Sequence, residues 1–267
     1  MEGGPGRWGD RSVFVVDGPT YRHPPVVETS LGVHFAPISN WKANIFGLFQ
    51  ARVRERYPRF DSAPPVAWQM QTGPFPNFSV SISQIPKIRG LYLDADQNSL
   101  IQIQDDFFFV NWRKAANEDS YPRYRTLRLR FLDEWDSFNQ FLAENNLFIG
   151  PIAQCQVNYV NVVEVNGDLT AADICTDLSV SGLLGERIQF AAQYHSEDIE
   201  LNYQLVPGIR VQDNRDVMQF TLTASTSKLD PMGGDLINRF DATHRVLVEF
   251  FERLTSKRAK NVWGRQE

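Results

Sequence analysis

The chain has 267 residues, of which 42% are hydrophobic and 22% charged, a globular composition that excludes disorder as the default. Its formal net charge of −5 argues against a protein that binds nucleic acid or an anionic membrane over its whole surface. No apolar run is long enough to span a membrane, and residues 1–10 lack the apolar core of a signal peptide. We therefore expect a cytoplasmic protein.

The first half of the chain predicts a strand, a helix, a group of strands and a long helix. Residues 1–20 predict a flexible N-terminal tail. Alternating apolar residues predict a strand at 26–35, and an apolar stripe predicts a helix at 41–57 with Ser39 as its N-cap. Apolar residues three or four positions apart predict a long helix at 124–146. Turn residues separate further candidate strands, which lie at 66–72, 78–85, 90–94, 99–104 and 107–112.

Residues 153–166 show a clear alternation and predict a central strand between the two halves. Cys155, Val157 and Tyr159 fall on one face, and the amide side chains between them fall on the other. Cys155 and Cys175 are the only two cysteines. They are expected to be buried, reduced thiols, with a single disulfide as the alternative.

The second half predicts a similar order of elements. A short helix is predicted at 170–178 and a long one at 235–255. Pro207–Gly208 and Asp213–Asn214 are predicted to be turns. The strands between the two helices are predicted at 187–194, 199–206 and 217–224.

These elements predict an α+β fold in which a large antiparallel sheet carries two long helices on one face. Residues 21–150 and 151–267 read as two α+β halves of one continuous domain, each with the order strand, helix, several strands, long helix. The shared order predicts an internal duplication. Chance agreement of common elements is the alternative, since no repeat is visible at the level of residues.

Short motifs at both ends and in the centre of the chain carry a family resemblance: Pro24–Glu28, Asn158–Asn161, His244, Phe251, Leu254–Thr255 and Trp263–Gly264. With these motifs the chain resembles an uncharacterised bacterial family of similar length, which is sporadically distributed and has no established activity. The resemblance implies a horizontally transferred accessory gene, for which antiviral defence and mobile-element functions are common. It supplies no catalytic residue.

No motif predicts a catalytic, cofactor-binding or metal-binding residue. Asp94–Asn98 resembles the start of a calcium loop, but Ser99 stands where the loop needs Gly, and strands flank the segment. The histidines show no metal-ligand spacing, and Gly233–Gly234 lacks the Lys-Ser or Lys-Thr of a phosphate loop. The acidic pairs Asp105–Asp106 and Glu197–Asp198 point to opposite sides of a strand. The sequence therefore favours a protein that is not an enzyme.

Basic residues cluster at 123–130 and 257–260, and either group is a candidate for nucleic-acid contact. The first group spreads around the predicted helix, and Asp133 and Glu134 follow it closely. Solvated faces with local ion pairs are therefore favoured over a nucleic-acid stripe.

The predicted strand at 107–112 supplies the candidate interface. Phe107, Phe108 and Phe109 place consecutive rings on opposite faces of the strand, and Trp112 follows them. One face of the strand must be covered by something other than the same core. A partner supplies that cover if these four rings form an interface, and other parts of the chain supply it in the alternative.

The leading hypothesis is a non-enzymatic protein-binding or assembly component that binds another protein or itself, without cofactor or metal. His244, on the apolar stripe of the last helix, and Trp263, past its end, are predicted to serve folding. One alternative is a nucleic-acid-binding module that uses the concave face of the sheet. The other is an enzyme with an unrecognised site, which a polar pocket near His244 or His34 would indicate.

Overall fold

The structure, a computed structural model, describes residues 18–66, 87–116, 119–165, 168–176, 189–196, 198–226 and 236–266. The strands are β1 (Thr20–Tyr21), β2 (Val26–Phe35), β3 (Arg59–Ala63), β4 (Arg89–Leu93), β5 (Ser99–Gln104), β6 (Phe107–Arg113), β7 (Ile152–Glu164), β8 (Phe190–Ser196), β9 (Ile199–Arg210), β10 (Arg215–Thr226) and β11 (Arg265–Gln266). The helices are α1 (Asn44–Val53), α2 (Arg123–Glu144), α3 (Ala171–Ile174), α4 (Leu236–Leu254) and α5 (Lys257–Val262). The predicted α+β fold class is confirmed.

Nine of the described strands form one antiparallel sheet in the order β3-β4-β5-β6-β2-β7-β10-β9-β8. The central pair is β2 and β7, so the sheet continues without a break from the first half of the chain into the second. In each half the first strand lies beside the last one: β2 pairs with β6, and β7 pairs with β10. The strand order therefore runs outward from the central pair in the same sequence on both sides.

The long helices pack on one face of this sheet. Register places Val33 of β2 opposite Phe108 of β6 and Cys155 of β7, so these three side chains share a face. Phe108 stacks on Phe138 of α2 with ring centroids 4.9 Å apart. In the second half, α4 packs against β7, β9 and β10, and its Phe250 contacts Tyr203. The core lies between the sheet and these helices, and the opposite face carries no described helix.

The two ends of the described chain meet in a separate two-stranded sheet of β1 and β11. Trp263 lies just before β11, is 5% exposed, and packs against Tyr21 and Phe251. The aromatic contacts attach the C-terminal turn of the chain to α4.

Several predicted boundaries move, each for a local reason. The helix predicted at 41–57 begins at Asn44 and has no side-chain cap, because Asn40 adopts a left-handed φ of 63° and turns the chain there. The turn predicted at Pro207–Gly208 is instead part of β9. The described β8 pairs with β9 only as far as Leu205, so Pro207 lies in a part of β9 that has a described neighbour, β10, on one side only. Proline is tolerated at such an edge position of a strand.

The sequence also missed four elements, which are the exposed edge strand β3, the short helix α5 and the paired terminal strands β1 and β11. Thr20, at the end of the predicted flexible tail, belongs to β1. Most of the strand predicted at 66–72, and all of that at 78–85, lie outside the described residues. Within the described chain, no helix combines the length and the hydropathy needed to cross a bilayer.

Candidate binding site on the open face of the sheet

The face of the sheet opposite the helices, called here the open face, forms a polar groove of about 530 Å³. Its described lining includes seven amide side chains, Gln102, Asn111, Gln154, Gln156, Asn158, Asn202 and Gln204. Four hydroxyl side chains join them, Ser30, Thr221, Thr223 and Ser225. Strand alternation explains this composition, because every second residue of β2, β5, β6, β7, β9 and β10 points away from the helices.

A chain of hydrogen bonds crosses four neighbouring strands of the groove. Arg89 of β4 donates to Gln102 of β5 at 3.0 Å, and Gln102 donates to Asn111 of β6 at 2.9 Å. Asn111 then donates to Glu28 of β2 at 2.7 Å. The chain runs from a cation to an anion, so each amide is held in a fixed orientation.

A second network continues across the central strand pair. Gln156 donates to Asn158 at 2.8 Å, and Asn158 donates to the hydroxyl of Ser30 at the same distance. The Nε2 atom of His34 lies 3.2 Å from the amide oxygen of Gln156. Burial lowers the pKa of His34 to about 4, so the ring is neutral at neutral pH.

Two of the predicted interface rings line the groove. Phe107 and Phe109 pack edge-on against each other and against His34. Phe109 lies opposite Gly32, where an added Cβ would overlap its ring, so glycine is needed for the ring to lie flat on β2. The rings are 4% and 8% exposed, and they form an apolar patch within a polar surface.

The other two predicted interface residues belong to the core. Phe108 is fully buried between the sheet and α2, and Trp112, 4% exposed, packs against Tyr121. Helices of the same chain therefore cover one face of β6, which was the alternative left open by the sequence. This corrects the interface prediction for Phe108 and Trp112.

Few charges lie in the groove. Among its described lining residues, Glu28 and Glu200 are the acids and Arg89 is the one cation. Within the same described set, the Nε atom of Arg89 and the amide oxygen of Asn202 are buried without a hydrogen-bond partner. These two atoms are a donor and an acceptor left unpaired beneath the surface of the groove.

His244 lies on the helix side, in an aromatic cluster. Its ring stacks on Tyr124 at a centroid distance of 3.7 Å, and its Nε2 atom lies 3.1 Å from the hydroxyl of Tyr159. Tyr159 is in turn 2.6 Å from the hydroxyl of Tyr121. Burial lowers the pKa of His244 to about 3, so it is a neutral core residue at neutral pH.

The remaining sequence candidates form local contacts. Asp94 accepts a hydrogen bond from the backbone of Ser99 and closes the turn between β4 and β5. Arg128 pairs with Asp241 inside the protein, so that member of the basic group is not at the surface. No group of three metal-ligating side chains occurs in the described ranges.

The alternation of β7 predicted that its amide side chains share one face of that strand. The sequence missed the site as a whole, because the neighbouring strands β2, β7 and β10 are distant from one another along the chain. Comparison with protein-family models, with curated proteins and with solved structures found no match for this chain.

Proposed function

We propose that this chain is a non-enzymatic binding protein that holds a segment of another polypeptide on the open face of its sheet. The groove is a polar pocket beside His34, the feature named above as an indication of an enzyme. Binding is favoured over catalysis because both carboxylates of its described lining, Glu28 and Glu200, already accept hydrogen bonds from neighbouring amides. The observation that carries the proposal is the preorganised row of amide and hydroxyl groups in the groove. Amides both donate and accept hydrogen bonds, which matches the alternating N–H and C=O groups of a peptide backbone.

The apolar patch of Phe107 and Phe109 supports a polypeptide occupant. The rings lie beside His34 and among polar groups, an arrangement that suits one buried apolar side chain of a bound segment. Aromatic anchors surrounded by polar contacts are typical of protein interfaces.

The charge of the groove favours protein over nucleic acid. Affinity for a phosphate backbone needs several cations, and Arg89 is the one cation among the described lining residues, opposed by Glu28 and Glu200. Arg89 also donates to Gln102, so it already belongs to the hydrogen-bonded floor.

The place of this binding protein in a bacterial accessory or defence system is part of the proposal and rests on the resemblance described above.

An internal duplication is proposed as the origin of the sheet. It is supported by the strand order, which runs outward in the same sequence from β2 and from β7. The two halves are compared by superposing β2 on β7. The duplication is refuted if α1, β4–β6 and α2 of the first half do not then overlay α3, β8–β10 and α4 of the second.

Affinity capture with a charge-altered open face tests the proposed function. Thr221→Lys with Thr223→Lys adds two cations to the middle of the groove. The immobilised variant should no longer capture a polypeptide segment, because the long, charged lysine side chains occupy the groove where the segment binds. A nucleic-acid partner would instead be captured more strongly, since two cations have been added.

The matched control adds the same charge elsewhere. Val211 is 95% exposed in the turn between β9 and β10, and Val262 is 50% exposed on α5, so Val211→Lys with Val262→Lys leaves the groove intact. We expect the wild-type chain and this control to capture the same protein from extracts of the source cells, in amounts unaffected by nuclease. Equal capture by the open-face variant would contradict the proposal.

A further inference from the structure

A second cavity, of about 360 Å³, lies on the helix side of the sheet, between the N-terminal turn of α2, the middle of α4 and the segment around β1. This cavity is separate from the open face and independent of the function proposed for it. Its walls are mainly apolar and aromatic, and they include Pro24, Pro25, Val26, Leu247, Val248 and Phe251.

The polar groups in the wall of the cavity already have partners inside the protein. The imidazole of His244 is held by Tyr159, and the hydroxyl of Tyr124 donates to Asp241 at 2.8 Å. The hydroxyl of Tyr21 donates to Glu252. The interior therefore presents ring faces and aliphatic groups to a ligand, which suits an apolar body.

The mouth of the cavity is positively charged. Arg123 and Arg125 are exposed at the start of α2, and neither has an ion-pair partner in the described chain. No carboxylate is among the described lining residues. The first turn of α2 has no acidic residue and no side-chain cap, so its free N–H groups add to the positive potential.

We propose that this cavity binds a small organic acid, with its apolar body between α2 and α4 and its carboxylate at Arg123 and Arg125. The two parts of the site agree in chemistry, since the apolar walls exclude a fully hydrated ion and the charged mouth disfavours a cationic amphiphile. The carboxylate reaches the guanidinium groups and the helix end while the body remains out of water.

Calorimetric titration of the full chain with three ligands of equal body length tests whether the cavity prefers a negatively charged head group. The probes are octanoate, 1-octanol and octylammonium. We expect octanoate to bind roughly tenfold more tightly than octanol, and octylammonium to bind more weakly than either. Equal affinities for octanoate and octanol, or no binding of octanoate, would overturn the proposal.

Two variants locate the ligand. Arg123→Gln with Arg125→Gln should weaken the binding of octanoate about tenfold, because the contact between its carboxylate and the arginines is removed. The affinity for octanol should be unchanged. The control Arg54→Gln with Arg245→Gln removes two exposed arginines that do not line the cavity, and it should leave octanoate binding unchanged. Val248→Phe fills the cavity and should weaken both ligands.

Thermal unfolding of each variant shows that it is folded before titration. A folded Val248→Phe variant that binds octanoate as the wild type does would place the ligand elsewhere and refute this site. The same conclusion would follow if the two control arginines had the larger effect.

Discussion

His34 and His244 are buried as neutral rings, and this sets a pH dependence of stability. Their pKa values in the folded chain are about 4 and about 3, against 6.5 for an unshifted histidine. Below pH 6.5 the unfolded chain takes up protons that the folded chain does not, so the free energy of unfolding falls as the pH falls. The full stability is present above pH 6.5. At pH 5 the loss is about 2 kcal/mol for each ring.

Chemical denaturation between pH 8 and pH 5 measures this effect. His244→Gln should reduce the loss of stability over this range by about 2 kcal/mol, because one of the two protonation sites is gone. His195→Gln is the matched control, because it removes an exposed histidine of β8 and leaves both buried rings in place. An unaltered profile in the His244 variant would contradict the account of its burial.

Trp263 is predicted to stabilise the fold. The centroid of its ring lies 5.6 Å from that of Phe251 and 6.1 Å from that of Tyr21. These contacts hold the end of the chain on α4. Trp263→Ala should lower the free energy of unfolding by about 3 kcal/mol, because a buried aromatic ring is lost. The neighbouring Val262 is 50% exposed, and Val262→Ala should change the free energy of unfolding little. Equal stability of the Trp263 variant and the wild type would refute this role.

At the scale of elements, an ion pair holds α2 against α4. Arg128 is 3% exposed, and its Nη1 atom lies 2.7 Å from a carboxylate oxygen of Asp241. Asp241→Asn should cost about 3 kcal/mol or more in the free energy of unfolding, because it leaves a buried cation without its counter-charge.

A double-mutant cycle separates this effect from lost packing. Arg128→Met removes the cation, and the Arg128→Met, Asp241→Asn double variant should be more stable than Asp241→Asn alone. Strictly additive effects in denaturant titrations would mean that the pair does not couple the two helices.

Elements with a strong local period were predictable from the sequence. Helix α2 was predicted at 124–146 and runs over Arg123–Glu144, because its apolar residues recur every three or four positions. Strand β7 was predicted at 153–166 and runs over Ile152–Glu164. The exposed strand β3 was missed because it has no buried face to impose an alternation. Its pairing with β4 is what makes it a strand.

At the scale of the whole molecule, the sequence predicted the layers of the fold but not its site. The polar faces of single strands could be recognised, yet the order of strands in the sheet depends on contacts between distant residues. Arg89 and Glu28 are joined by Gln102 and Asn111 only because β4, β5, β6 and β2 are neighbours. The alternation of the strand placed Phe107 and Phe108 on opposite faces, but only the packing of α2 on Phe108 shows which face belongs to the core.

The central claim is that a polypeptide lies on the open face, and photocrosslinking from within the groove tests it most directly. A benzophenone amino acid replaces Thr223 on the open face, or Val211 in the exposed turn as the control. After illumination in the source cells, we expect an adduct from position 223 but not from 211. Protease should degrade that adduct and nuclease should leave it intact. A nuclease-sensitive adduct at 223, or equal adducts at both positions, would contradict the account.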